Sequence, residues 1–226
     1  MRGGHGWSYL SRNDKRAILS GVESGRVSGG PFHVELQPSD RCNLRCFFCS
    51  TRSFRRDDEL PFDLLRSLVD QMAELGTRSV GLAGGGEPLA HPDARRLFEL
   101  LREAGIPVSN LTTNGTFLHG GIAEAVLEGC DELVVSLNAA DGETYADMMG
   151  SNASTFRRVL GNLEGLLAER RRRRAASPQV LVQFLVYKGN YRSIPRMFEL
   201  ARAAGVDGVL FNGLSFLPPE LRMTPE

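Results

Sequence analysis

The chain has no excess charge of either sign, since 27 Lys and Arg balance 27 Asp and Glu over 226 residues. Without a global field to gather polyanions, nucleic acid and acidic membrane surfaces are disfavoured as partners, and a small or peptidic molecule is expected instead. It also lacks any apolar run near the roughly 20 residues that cross a bilayer, and Met1 to Trp7 lacks the apolar stretch of a secretory signal. The expected compartment is the cytoplasm, with no membrane partner. Neither a GK[ST] sequence nor GxGxxG is present, which disfavours phosphate cradling. Cysteine is scarce too: of four, three crowd between Cys42 and Cys49 and only Cys130 stands apart. That is a poor disulfide framework but the crowding expected of metal ligands in a reducing compartment.

What is there is a regular alternation. Hydrophobic residues make up 42% of the chain, enough for one sizeable core. The segment before Gly30 is polar and Gly-rich, with one short helical stretch that Asn13 could cap, and Gly29-Gly30-Pro31 then opens a strand at 32–36. Further strands are predicted at 79–83, 108–112, 132–137, 180–186 and 208–211. Between them run amphipathic helices at 62–75, 93–104, 155–174 and 193–204. In the first of these, Leu64, Leu65, Leu68, Val69, Met72 and Leu75 form the apolar stripe and Gly76 the stop. Repeated βα units imply right-handed crossovers and an α/β fold with a parallel sheet. Periodicity alone leaves an open doubly wound sheet and a partial TIM-like barrel equally allowed. In either, the polar clusters that follow the strands should meet at one mouth. Residues 1–30 read as an N-terminal extension and 31–226 as the core. Thr224, Pro225 and Glu226 read as the cap and first turn of a helix that does not follow, so truncation at the C-terminus is expected.

Cys42-Asn43-Leu44-Arg45-Cys46-Phe47-Phe48-Cys49 has the spacing CxxxCxxC, which lets one loop wrap three thiolates around a single centre. A cubane of four irons held by three cysteines keeps one iron without a protein ligand, where a small chelating molecule can bind and be reduced. A structural zinc site would want a fourth protein ligand. His33 or His91 could supply it, although neither stands at finger-like spacing. Arg45 and Arg52 flank the loop and are expected to lower the thiol pKa values.

With the aromatic Phe48 directly before its last cysteine, this loop resembles the signature of the radical S-adenosylmethionine (radical SAM) superfamily. Gly84-Gly85-Gly86-Glu87-Pro88 is similar to the GGEP motif of that family, at the expected distance downstream. Glycines let backbone groups approach a ligand, and an acidic side chain can orient an ammonium group. Thr112-Thr113-Asn114-Gly115 resembles the family's TNG turn, and Ser136-Leu137-Asn138 resembles its S-L-D/N segment. Such short polar side chains can reach ribose hydroxyls or a carboxylate, or simply cap helices. Many relatives carry Arg where this chain has Met149, so another cation such as Arg157 or Lys188 serves, or the contact is absent. Tyr187 to Asn190 and Asn212 occupy mouth positions.

The resemblance runs from Phe32 to about Leu214 and implies a six-unit partial (β/α) TIM-like barrel. It implies a 4Fe-4S cluster on Cys42, Cys46 and Cys49. It also implies S-adenosylmethionine held by Phe48 against the adenine, by Gly84, Gly85, Gly86, Glu87 and Pro88 at the amino group, and by Thr113, Asn114, Ser136, Asn138 and Asn212. The implied chemistry is reductive cleavage to a 5′-deoxyadenosyl radical that abstracts hydrogen from a substrate. The pattern looks most like relatives with a C-terminal SPASM or twitch extension, whose Cys-rich tail is not in this sequence. A peptide or small-molecule natural product is the expected substrate, and flavodoxin or ferredoxin the expected electron donor. Two other readings stand beside this one: a non-catalytic iron-sulfur or zinc-binding module, and an RNA-modifying radical enzyme. The five arginines at Arg170 to Arg174 fit a solvated helix end whose cations complement the macrodipole, and Cys130 a small buried residue.

Overall fold

The computed structural model describes residues 12–26 and 29–214. The Asn13 side chain and residues 223–226 lie outside what is described. Six strands form one sheet in the order of the chain: β1 (His33–Leu36), β2 (Ser79–Leu82), β3 (Val108–Thr113), β4 (Glu132–Ser136), β5 (Gln179–Val186) and β6 (Gly208–Gly213). Every neighbouring pair is parallel.

The monotone order separates the two architectures that periodicity left open. A doubly wound sheet reverses its strand order and so places helices on both faces. When every crossover has one hand and the order never reverses, all helices land on the same face and the sheet curls around the other. The result is a partial (β/α)6 barrel, open between the edge strands β1 and β6.

The helices are α1 (Arg12–Ser24), α2 (Phe62–Glu74), α3 (Ala94–Glu103), α4 (Gly120–Gly129), α5 (Gly142–Met149), α6 (Ala153–Arg172) and α7 (Ile194–Ala204). In α2 the buried stripe is narrower than the sequence implied. Leu65, Val69 and Met72 are buried, while Leu64 and Leu75 face solvent. Helix α5 escaped the periodicity because it is only eight residues long. It is held by local chemistry instead: Asp141 accepts the Thr144 N–H at 2.8 Å, and Gly150 ends the helix in the left-handed region at φ +57°. Helix α4 begins and ends with glycine, which masks its helical signal.

The core lies between sheet and helices. Val180, Val182 and Phe184 point into it and are wholly buried, and Phe184, Phe211 and Phe198 of α7 form a continuous aromatic row. The intervening Gln183 and Leu185 face the concave side, where strand ends and loops enclose a cavity. The arginine run is partly built into this frame rather than solvated throughout. Arg170 forms a bidentate pair with Asp207 and also donates to the Pro178 carbonyl, while Arg172 and Arg173 pair with Glu169. Cys130 is buried, as expected, and donates to the Glu132 carbonyl. No helix among the described residues is long and apolar enough to cross a membrane.

Candidate functional site

The concave cavity measures about 440 Å³ and sits at the C-terminal mouth of the sheet. Cys42, Cys46 and Cys49 all line it, with Phe48 between them. The cysteine loop is held at three places. On one side its backbone docks on the end of α5: Arg45 N–H donates to the Met149 carbonyl and Phe47 N–H to that of Met148, both at 3.1 Å. A Cβ on Gly150 would run into the Arg45 carbonyl, so glycine there serves both the left-handed turn and the close approach. At the second place Asn114 Nδ2 donates to Asn43 Oδ1 at 3.0 Å, and Asn43 Nδ2 donates to Thr116 Oγ1 at 3.0 Å. At the third, Thr51 Oγ1 donates to the Gly85 carbonyl at 2.7 Å.

The glycines of Gly84-Gly85-Gly86 admit protein as much as ligand. Cβ atoms at these positions would strike Gln37, Asp40 and the Arg41 carbonyl respectively, all on the segment that leads from β1 to the cysteines. All three glycines line the cavity as well, so the same turn supports the cysteine loop from behind and faces the ligand space in front. Glu87, which sequence reading placed near an ammonium group, is buried, and three protein donors occupy its carboxylate. Leu89 N–H and the Thr113 hydroxyl donate to Oε1 at 3.1 and 2.6 Å, and Asn114 N–H donates to Oε2 at 2.7 Å. Burial raises its carboxyl pKa, and the three donors offset that only in part.

The remaining candidates divide in the same way. Ser136 lines the cavity with its hydroxyl on Gln183 Oε1 at 3.2 Å, and Gln183 itself lines the cavity, a neighbour that no local motif announced. Asn138 lines it too, but in the left-handed region at φ +60°, where its Oδ1 accepts the Leu185 N–H at 3.0 Å. Pro88 is buried in a short 3-10 turn and does not reach the cavity, and Asn212 is exposed and does not line it. His33 and His91 are also elsewhere: His33 bonds Ser79 and Glu35, and His91 bonds the Leu60 carbonyl and Asp93 N–H. Arg157 and Lys188 are exposed and absent from the lining; the cation that the lining does contain is Arg55.

The donor set can be tested against a metal group on its own chemistry. Burial first, then the neighbouring Cys42 and Cys49, push the Cys46 thiol up to about 12; Arg55 opposes this weakly, and Arg45 and Arg52 do not lower it. Three thiolates cannot gather there unless cationic charge arrives with them, and metal-bound thiols deprotonate outright. Among the described residues no three His, Cys, Asp or Glu side chains converge closely enough to grip one metal ion. The three thiols that line the cavity have no free fourth partner among its described lining residues, since Glu87 is occupied by protein donors and His33 and His91 lie elsewhere, so the donor set fits a cubane with one open iron better than a four-ligand zinc site.

The fold and site together define a class: an open, all-parallel (β/α)6 barrel whose mouth carries three thiols beside a glycine-rich turn. The family model described as the radical SAM superfamily matches residues 36–201, and the chain belongs to that superfamily, whose members use a 4Fe-4S cluster and S-adenosylmethionine. It is 33% identical over 182 residues to the AdoMet-dependent heme synthase of Methanosarcina barkeri, covering 79% of this chain and 49% of that protein. It is 30% identical over 182 residues to the PqqA peptide cyclase of Gluconobacter oxydans, covering 79% of this chain and 48% of that one. Among solved structures, Streptococcus suis SuiB bound to its precursor peptide SuiA superposes with a TM-score of 0.69 at 20% identity, over 90% of this chain and 44% of that chain. The chain thus spans about half the length of the curated relatives it matches.

Proposed function

We propose that this chain is the S-adenosylmethionine-cleaving core of a radical enzyme that acts on a peptide or small-molecule natural product. The observation that carries the proposal is the opening of Cys42, Cys46 and Cys49 onto one cavity that also exposes Gly84, Gly85 and Gly86. Each thiol would hold one iron of a 4Fe-4S cluster. Such a cluster would supply one electron to the sulfonium of bound S-adenosylmethionine, breaking its bond to the adenosyl carbon to release methionine and a 5′-deoxyadenosyl radical able to take hydrogen from an unactivated carbon.

The chain's own residues bind and orient. Phe48 offers an aromatic face to the adenine, backbone carbonyls of the Gly84 to Gly86 turn accept from the ammonium group, and Ser136 with Gln183 offers hydroxyl and amide partners to the ribose. Glu87, Pro88, Thr113, Asn114 and Asn138 act mainly through other residues, because their polar groups or rings are engaged with protein. Leu44, Met149, Leu185 and Leu214 supply apolar wall that excludes water from a reactive intermediate.

The peptide or natural-product assignment draws on the relatives: one is named as a peptide cyclase, and one structure contains its precursor peptide. A ferredoxin or flavodoxin would deliver the electron, in a reducing, cytoplasmic setting. The test is anaerobic reconstitution with iron and sulfide, then dithionite and S-adenosylmethionine, with mass spectrometric detection of 5′-deoxyadenosine. Product from the wild type and none from Cys46→Ala is the expected result. An intact cluster without product would leave a non-catalytic iron-sulfur module.

A further inference from the structure

We infer that Asn190 is a positioning residue, which ties the β5 wall of the cavity to the shelf on which Cys46 rests and so sets the width of the site between them. Its bearing on the cluster rests on the reading above, whereas the latch itself consists of protein contacts alone.

Asn190 follows β5, is buried, and does not itself line the cavity. Both ends of its amide are used. Nδ2 donates to the Leu185 carbonyl at 2.8 Å and to the Asn138 carbonyl at 3.3 Å, with Met148 Sδ at 3.4 Å, while Oδ1 accepts the Tyr187 N–H at 2.9 Å. Acceptors at one end and a donor at the other fix which way the amide is turned. Each partner belongs to a different part of the frame. Leu185, near the end of β5, lines the cavity. Asn138, just past β4, is held in the left-handed region at φ +60°. Its N–H donates to the Gln183 carbonyl at 2.9 Å, its Oδ1 accepts the Leu185 N–H at 3.0 Å, and its Nδ2 lies 3.7 Å from Met149 Sδ.

Met148 and Met149 are the last residues of α5, and both are buried. Their carbonyls accept the Phe47 and Arg45 N–H groups, and Met149 Sδ lies 3.7 Å from Cys46 Sγ. The path from Leu185 to Cys46 therefore runs through Asn190, Asn138 and two buried methionines. Thioether contacts are soft and adaptable, so the directed bonds of the two asparagines fix the geometry along it. Cys42 and Cys49 have tethers of their own, since Asn43 bonds Asn114 and Thr116 on one side and Thr51 bonds the Gly85 carbonyl on the other. Cys46 is the thiol whose support leads back to Asn190, so it is the one that loss of Asn190 should release.

The test uses the full, cluster-free chain and follows by mass spectrometry how fast iodoacetamide alkylates each cysteine. Cys130, buried at the other end of β4 from the cavity, reports general opening of the fold, and Cys46 reports the latch. Asn190→Asp keeps the size of the side chain but sets an oxygen against the Leu185 and Asn138 carbonyls, Asn190→Ala removes the links, and Asn190→Ser keeps one short donor. In Asn190→Asp and Asn190→Ala, Cys46 should react about fivefold faster or more, the factor that one lost buried hydrogen bond gives, with Cys130 within about twofold of the wild type. Asn190→Ser should give a smaller rise. Parallel acceleration of Cys46 and Cys130 would make Asn190 a general stabiliser and overturn the inference, and so would an unchanged Cys46 rate in Asn190→Asp. After reconstitution, Asn190→Ala should retain iron but shift the electron paramagnetic resonance signal of the reduced cluster; a signal identical to that of the wild type would overturn the bearing on the cluster. A wild type that takes up no cluster would sink the cofactor reading instead, and the alkylation rates would still decide the latch.

Discussion

The backbone N–H of Asn114, just past the end of β3, donates to the buried carboxylate of Glu87, which follows the glycine turn after β2, at 2.7 Å. Through this bond and the Thr113 hydroxyl on the other oxygen, one acidic side chain sets the spacing of two strand ends beneath the cysteine loop. Glu87→Gln keeps the shape but not the acceptors. Whichever way the amide is turned, its NH2 faces a backbone N–H, that of Asn114 in one orientation and that of Leu89 in the other. A buried donor left without an acceptor costs about 1–3 kcal/mol. Urea unfolding should register a loss of that size, with lower iron occupancy after reconstitution.

The same residue gives the stability a pH dependence. Burial raises its folded pKa above the ordinary 4.5, so the native state holds the proton at pH values where the unfolded chain has released it. With more protons bound in the native state, stability falls as pH rises from 4.5 through the raised value. Glu87→Gln should flatten this part of the profile. A wild-type advantage over the variant that grows with rising pH in that window would reverse the sign and refute the assignment.

Glycine positions on the two sides of the barrel should behave oppositely. Gly86→Ala drives a Cβ into the Arg41 carbonyl and the Asp40 backbone, so it should dislodge the segment before the cysteines and abolish cluster uptake. Gly161→Ala in α6 meets nothing within 4 Å and should stabilise by about 0.5–1 kcal/mol through better helix propensity. Thermal melts and iron analysis of the two variants separate a specific support from general fragility.

Cys42→Ala, Cys46→Ala and Cys49→Ala should each abolish iron and sulfide retention after anaerobic reconstitution. Cys130→Ala should leave iron content unchanged, because that thiol is buried and bonded to the Glu132 carbonyl, away from the cavity. Equal iron loss in Cys130→Ala would overturn the ligand assignment.

Tyr145 presents a different kind of test. Its ring is wholly buried against Phe156, yet its hydroxyl has no hydrogen-bond partner among the described residues. Removing a buried, unpaired polar group relieves a desolvation cost of about 1–3 kcal/mol, so Tyr145→Phe should leave the cluster-free chain as stable as the wild type or more so. A loss above about 1 kcal/mol in chemical denaturation would mean that the hydroxyl is satisfied after all, since only a made bond costs that much to delete.

Much of the frame was legible from sequence because its causes are local. Apolar runs between glycine breaks marked all six strands, with ends within two residues of those observed, and four of the main helices. Helix α5 was missed because a short element is defined by its caps, Asp141 and Gly150, more than by a stripe. Cys42, Cys46 and Cys49 were legible for the same local reason: one short loop carries them all.

What only the tertiary structure decided is which polar groups line the cavity and what else they hold. Glu87 and Asn114 line it, and they also bond Thr113 and Asn43, far along the chain and adjacent only once the strands are ordered. Arg55 and Gln183 carry no motif, and they line one cavity only because the cysteine loop folds over the concave face that β5 presents. Hydrophobic period is a property of neighbours in sequence and is written there. Hydrogen-bond partnership and access to a cavity are properties of neighbours in space, fixed by the order in which six parallel strands close around their concave face.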